Sequence, residues 1–168
     1  VIELGCGKGT YLAALAQMPS VSSLHGVDRS AAAISLTFEN IRNNSHKGIS
    51  LVQNDVREYL KLTWHVDLIV FDLPLIPLPP TGLSTKLRRM IDGGKNGRKY
   101  IDYVIRHASS HLRTDGALFF VQADFHGFKE TKRILEQQGF TVTLLGEKKI
   151  SLDKTITTKT YKKWIEKQ

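Results

Sequence analysis

The chain has 168 residues, 41% of them hydrophobic and 24% charged, enough for a single domain spanning residues 1–168 with a real core. No apolar run is long enough to cross a membrane and no basic segment leads into an apolar stretch as in a secretory leader; the one cysteine excludes an internal disulfide and fits a reducing, cytoplasmic compartment. The net charge of +8 is uneven, with +6 carried by residues 86–113 and +5 by residues 129–168, which suits a polyanionic partner such as RNA or a ribosome-bound complex, or simply a lysine-rich surface. The chain starts on a strand without an initiator Met, so further native residues are expected upstream. Val1 to Leu4 is that strand, with one acid, Glu3. Gly5, Gly7 and Gly9 follow at alternate positions, and Tyr11 to Ala16 then begins a helical pattern. Strand, glycine turn and helix open a nucleotide-binding βαβ unit. The third glycine comes one residue earlier than in a dinucleotide fingerprint. An acid two residues before the first glycine suits an ammonium group better than a pyrophosphate.

This E-x-G-x-G-x-G stretch resembles motif I of the class I S-adenosylmethionine-dependent methyltransferases. The resemblance implies that the turn cradles the methionine part of the cofactor, with Glu3 near its amino group. Cys6 falls among the lining positions, its thiol a small packing group without an activating partner.

Ser23 to Asp28 reads as the second strand. Asp28 lies a little over twenty residues past the turn, where a carboxylate can accept hydrogen bonds from both ribose hydroxyls of an adenosine ligand, with Arg29 beside it. The competing role for Asp28 is a helix cap, because a helix is expected over residues 30–43. Ile49 to Gln53 is the third strand, followed by a short helix through Leu60. The resemblance implies that Asp55 receives the adenine amino group and that the Val56 N–H meets a ring nitrogen; capping that short helix is the alternative. Asp67 to Phe71 is a fourth, near-continuously apolar strand of the kind found in buried parallel sheets. It delivers Asp72, Leu73, Pro74, Leu75, Ile76 and Pro77 to the strand end where ligands of open α/β sheets bind.

DLPLIP resembles the Asn-Pro-Pro-Tyr motif of HemK-type glutamine methyltransferases, in degenerate form. Gly93, Gly94 and Gly97 match that family's G-G-x-x-G loop, and the similarity extends over residues 67–122. It implies that the Asp72 side chain and the Leu73 carbonyl accept the hydrogens of a target NH2, with Pro74 completing the motif. Leu75 stands in place of the aromatic that stacks on a flat amide or base. Asp-Leu-Pro is also similar to the corresponding string of some tRNA base methyltransferases. Residues 73–96 are expected to form a long loop on the substrate side, stiffened by Pro74, Pro77, Pro79 and Pro80 and charged by Lys86, Arg88, Arg89, Lys95 and Arg98.

A helix over residues 98–112, a fifth strand over 117–121, a helix over 127–138 stopped by Gly139, a sixth strand over 140–145 and a seventh over 155–165 complete the pattern. His25, His107, His111 and His126 have no metal-ligand spacing with cysteines, and no metal is expected. The expected fold is α/β and Rossmann-like: an open, seven-stranded, mostly parallel sheet with helices on both faces and an antiparallel last strand. The expected activity is S-adenosylmethionine-dependent N-methylation of a protein glutamine or similar amide. An RNA base, a small molecule, or a cofactor-binding scaffold without transfer remain open.

Overall fold

The computed structural model describes residues 1–42, 48–78 and 84–149. Five strands form one parallel sheet among them: β1 Ile2–Leu4, β2 Ser23–Asp28, β3 Gly48–Gln53, β4 Val66–Phe71 and β5 Leu112–Phe120, in the order β3-β2-β1-β4-β5. The helices are α1 Thr10–Ala16, α2 Ala31–Ile41, α3 Val56–Tyr59, α4 Thr85–Ile91, α5 Lys99–His107 and α6 Phe128–Glu136. The chain runs from β1 outward through β2 to β3, then restarts on the other side of β1 with β4. This reversal puts the switch point of the strand order at β1 and β4, and open α/β sheets bind ligands beyond the carboxyl ends of the strands at such a point.

Burial follows strand position. All three residues of β1 are buried, as are Ile69, Val70 and Phe71 of β4. β5, the outermost of the described strands, alternates between half-buried and exposed residues. Leu12 and Ala16 of α1 and Ile41 of α2 pack with Cys6 and Leu24 in one apolar cluster.

The fifth strand begins earlier than expected. After α5 the chain makes a single 3-10 turn, Ala108–His111, and pairs with β4 from Leu112. Asp115, at φ 63°, and Gly116 lie inside this strand, where the register shifts. The expected sixth strand, residues 140–145, joins no ladder among the described residues, and Leu144 and Leu145 are exposed. A strand needs a partner, and the one expected beside it, residues 155–165, lies outside the described residues. Five of the expected seven strands are therefore described. The stretch expected to be a structureless loop carries α4, together with a parallel bridge between Ile76 and Asp92. Its sequence from Thr85 to Ile91 is rich in Lys, Leu, Arg and Met, which propagate a helix well. Pro79 and Pro80 lie outside the described residues.

The chain divides into two compact units. One comprises Val1–Leu73 with Tyr103–Gln122 and holds the whole sheet; the other comprises Pro74–Asp102 with the chain from Ala123 onward. No helix among the described residues is long and apolar enough to cross a membrane.

Candidate active site

Strand register sets the geometry of the sheet-bearing unit. Leu4 pairs with both Val27 and Phe71. The next residues, Gly5, Asp28 and Asp72, therefore leave three adjacent strands at one level.

The glycine turn is built by neighbours distant in sequence. Gly5, Gly7 and Gly9 have φ of 77°, 55° and 73°, a region that L side chains avoid. A Cβ on Gly5 would stand 2.4 Å from Leu73 Cδ2, and one on Gly9 would stand 2.8 Å from Thr37 Cγ2. Those two glycines make room for protein. Only Gly7 is open, a Cβ there meeting nothing closer than the Gly5 carbonyl oxygen at 4.0 Å. The backbone at Gly7 is thus the place where a ligand can approach.

Asp28 fixes the turn from β2. Its Oδ2 accepts from Gly7 N–H at 3.0 Å and its Oδ1 from Ser30 N–H at 2.9 Å. Ser30, not Asp28, caps α2, with Oγ accepting from Ala33 N–H at 3.3 Å. Each carboxylate oxygen has a second lone pair to offer, and Asp28 is only half-buried. Arg29 is exposed, and its carbonyl accepts from Gln53 Nε2.

Glu3 is 3% exposed, and its Oε2 accepts the Leu12 N–H at 3.1 Å. That N–H lies in the first turn of α1, where it has no partner within the helix, and Gly9 at the N-cap offers no side chain. Burial, with smaller repulsions from Asp72 and Asp28, pushes the Glu3 carboxyl up to about 8. Burial likewise raises the Cys6 thiol to about 11, consistent with a packing group and not a nucleophile.

Asp55 caps α3: its Oδ1 accepts from Arg57 N–H at 2.9 Å. The Arg57 side chain also donates to it, and that hydrogen bond holds the carboxyl below the usual range. Val56 is buried behind it. Asp72 is exposed at the end of β4, and partial loss of solvent raises its pKa. Leu73 is buried against Gly5. The first proline of the family motif is therefore replaced by a side chain that fills the gap left by a glycine.

Three contributors were invisible from spacing. Thr37 Oγ1 donates to the Gly7 carbonyl at 3.0 Å, and Asn40 Nδ2 donates to the Lys8 carbonyl at 2.8 Å, so α2 holds the turn from behind. Thr37 falls on the stripe of α2 that carries Ile34 and Ile41, and a polar residue on that stripe was the available signal. Tyr11 packs edge-on against Phe119. Burial raises its pKa first, and the nearby charges of Asp72 and Glu3 raise it further.

In the second unit, Pro74 and Leu75 are half-buried, and the Leu75 carbonyl accepts from His126 Nε2 at 2.7 Å. Gly93 N–H donates to the Ile76 carbonyl at 2.8 Å, and Gly94 N–H to Asp92 Oδ1 at 2.9 Å. A Cβ on Gly97 would stand 2.3 Å from the Leu75 oxygen. Arg89 is exposed, while Arg88 lies 3.6 Å from Asp92. Arg98 is not a loop cation: it is buried, donating to the His126 carbonyl, to Thr131 Oγ1 and to Asp102. The fork of donors on a guanidinium suits such an interior junction. No cluster of metal-ligating side chains occurs among the described residues.

Residues 1–167 match a protein family described as a methyltransferase domain. A Methanocaldococcus jannaschii protein, provisionally named a protein N5-glutamine methyltransferase, is 30% identical over 91% of this chain and 76% of its own. The human MTRF1L release factor glutamine methyltransferase is 33% identical over 71% of this chain, which spans only 38% of that relative's length. In fold, a methyltransferase from Pyrococcus furiosus superposes with a TM-score of 0.61 at 18% identity, covering 84% of this chain and 64% of that one. With its parallel sheet, its glycine turn and its strand-end acids, the chain belongs to the methyltransferase-domain family of S-adenosylmethionine-dependent enzymes, on its HemK-type branch.

Proposed function

We propose that the protein methylates the side-chain amide nitrogen of a glutamine in a protein acceptor of the release-factor kind. The observation that carries this reading is the common level at which Gly5, Asp28 and Asp72 leave β1, β2 and β4. The names of the relatives supply the acceptor class.

The residues fit S-adenosylmethionine. The open backbone at Gly7 admits the methionine portion, and Glu3 is a buried acid that an ammonium group would stabilise in its charged form. Asp28 has lone pairs left for ribose hydroxyls. Asp55 and the Val56 N–H take the adenine edge, as an acid and a backbone donor can. The cofactor supplies a methyl group already activated on a sulfonium. The protein's task is alignment and the handling of one proton. An amide nitrogen is a poor nucleophile because its lone pair is delocalised into the carbonyl. Asp72 and the Leu73 carbonyl, each accepting one amide hydrogen, orient the nitrogen and enrich it in electron density. As the N–C bond forms, the nitrogen gives up one of these protons. Asp72, with its raised pKa, is a better recipient than an ordinary carboxylate.

The test is radiolabelled transfer from S-adenosylmethionine to a purified release factor and, separately, to total RNA, with mass spectrometry locating the methyl group. Label is expected on a glutamine side chain. Asp72→Ala should lose transfer by about 10²–10⁴-fold while cofactor affinity stays within about twofold. Asp72→Asn keeps a hydrogen-bond acceptor and should lie between Asp72→Ala and wild type. Label confined to RNA, or undiminished transfer by Asp72→Ala, would overturn the proposal.

A further inference from the structure

His126 is 2% exposed, in the 3-10 turn Asp124–His126 that precedes α6, and both of its ring nitrogens are engaged. Ala123 N–H donates to Nδ1 at 2.8 Å, and Nε2 lies 2.7 Å from the Leu75 carbonyl oxygen. A backbone N–H only donates and a carbonyl only accepts. The ring is therefore neutral, with its proton on Nε2. Burial, reinforced by the Arg98 charge, holds its pKa below the ordinary histidine value.

The surroundings of this one hydrogen bond are built to admit it. A Cβ on Gly97 would stand 2.3 Å from the Leu75 oxygen and 2.6 Å from His126 Nε2, and a Cβ on Gly93 would stand 2.6 Å from the Leu75 carbonyl carbon. Arg98 grips the other end of the histidine residue. It donates to the His126 carbonyl and to Thr131 Oγ1 of α6, and it is anchored to Asp102 of α5. Leu75 closes the segment that starts at Asp72, and Pro74 within it has no N–H with which to be tied down. The Leu75 carbonyl is held by this hydrogen bond beside Ile76, whose N–H donates to the Ile91 carbonyl and whose carbonyl accepts from Gly93 N–H.

We propose that His126 is a positioning residue for methyl transfer: by donating from Nε2 to the Leu75 carbonyl it fixes Pro74 and Leu75, the residues that follow Asp72 and Leu73 directly in the chain, and the glycines at 93 and 97 are there to let it reach. The inference rests on the reading that Asp72 and Leu73 hold the acceptor nitrogen. It explains why a G-G-x-x-G loop accompanies the strand-end motif: a larger residue at either glycine would displace the carbonyl or the ring.

The test compares His126→Phe, which keeps a planar ring without the donor, with His126→Gln, whose side-chain amide can again donate to Leu75. Each variant is measured for kcat and KM with the release-factor acceptor, for S-adenosylmethionine affinity by calorimetry, and for melting temperature. Displacing an acceptor by about 1 Å can cost about 10²-fold in rate. His126→Phe should lower kcat by about ten- to a hundredfold, leave cofactor affinity within about twofold, and be rescued in large part by His126→Gln. Wild-type kcat in His126→Phe would overturn the proposal. So would a kcat loss that His126→Gln fails to recover, or a parallel loss of cofactor affinity. If His126→Phe does not fold, the kcat of His126→Gln measured against Gly97→Ala decides: retained in the first and lost in the second is the expected pattern, and equal values overturn the proposal. Asp72→Ala run alongside separates the two readings. Transfer lost in Asp72→Ala but kept in His126→Phe sinks only the positioning role, whereas transfer kept in both sinks the acceptor site as well.

Discussion

A carboxyl group that is 3% exposed and receives a single backbone N–H, from Leu12, is hard to ionise, and Glu3 is pushed up to about 8 for that reason. Its pKa in the folded chain lies above the ordinary value of 4.5. Between those two values the folded state keeps a proton that the unfolded chain has lost, so Glu3 makes the protein less stable as pH rises through this window. An ammonium group arriving beside Glu3 favours the ionised form and pulls the pKa back down. Binding of S-adenosylmethionine near neutral pH should therefore release up to about one proton, and affinity should increase as pH rises toward 8. Calorimetry in two buffers of different ionisation heat measures this directly. The apparent heats should differ for the wild type and coincide for Glu3→Gln. Equal heats for the wild type would mean that no ammonium group reaches Glu3. The same residue still has a mechanical duty, since it satisfies a first-turn N–H of α1, so Glu3→Gln is preferable to Glu3→Ala.

The glycine turn behaves as one element with α2. A methyl group at Gly9 would meet Thr37 at 2.8 Å with the backbone at φ 73°, whereas a methyl group at Gly7 meets open space at φ 55°. Left-handed backbone costs about 1–2 kcal/mol for any side chain, and overpacking adds about 1–3 kcal/mol. Gly9→Ala should therefore lose stability first. Gly7→Ala should lose much less stability but more of its cofactor affinity. Thr37→Ser removes the Cγ2 atom that clashes and keeps the hydroxyl that donates to Gly7. It should recover part of the Gly9→Ala loss and none of the Gly7→Ala loss. Thermal unfolding and calorimetry on the three single variants and on Thr37→Ser combined with each glycine change test this, and additive effects of Gly9→Ala and Thr37→Ser would rule out the contact as the cause. Local chemistry is what the sequence made legible. Apolar runs, alternate glycines and strand-end acids announce β1 to β4 and the level at which Asp28 and Asp72 emerge. Thr37 on Gly7 and His126 on Leu75 join residues 30 and 51 positions apart, and no spacing rule anticipates them. Prolines before residues 85–91 and basic residues among them give that stretch the look of a loop. The composition of that stretch nevertheless favours a helix, and α4 forms there.

Across the whole molecule, the charge of +8 and its concentration in residues 86–113 invite a nucleic-acid reading. The fold weakens it. Arg98 spends all its reach on His126, Thr131 and Asp102, and Arg88 shares its charge with Asp92. Of the five cations that sequence assigned to the loop, Arg98 is withdrawn into the interior and is lost as a phosphate contact. Each phosphate contact with a single strand contributes a slope of about −0.7 to log K against log salt. Without Arg98, the rest of that assigned set contributes at most about −3. RNA binding measured against salt should therefore be shallow and largely gone near physiological ionic strength. Removing Arg89 should flatten the slope by about one contact, and Arg98→Ala should leave it unchanged while lowering the melting temperature. Methyl transfer to the protein acceptor should persist over the same salt range, because an uncharged amide is held by hydrogen bonds and alignment. A steeper RNA slope carried by Arg98, with labelling of RNA that rises and falls with it, would turn the acceptor from protein to nucleic acid. Such a slope would also require Arg98 to leave its interior partners, and its melting temperature would then no longer depend on Arg98.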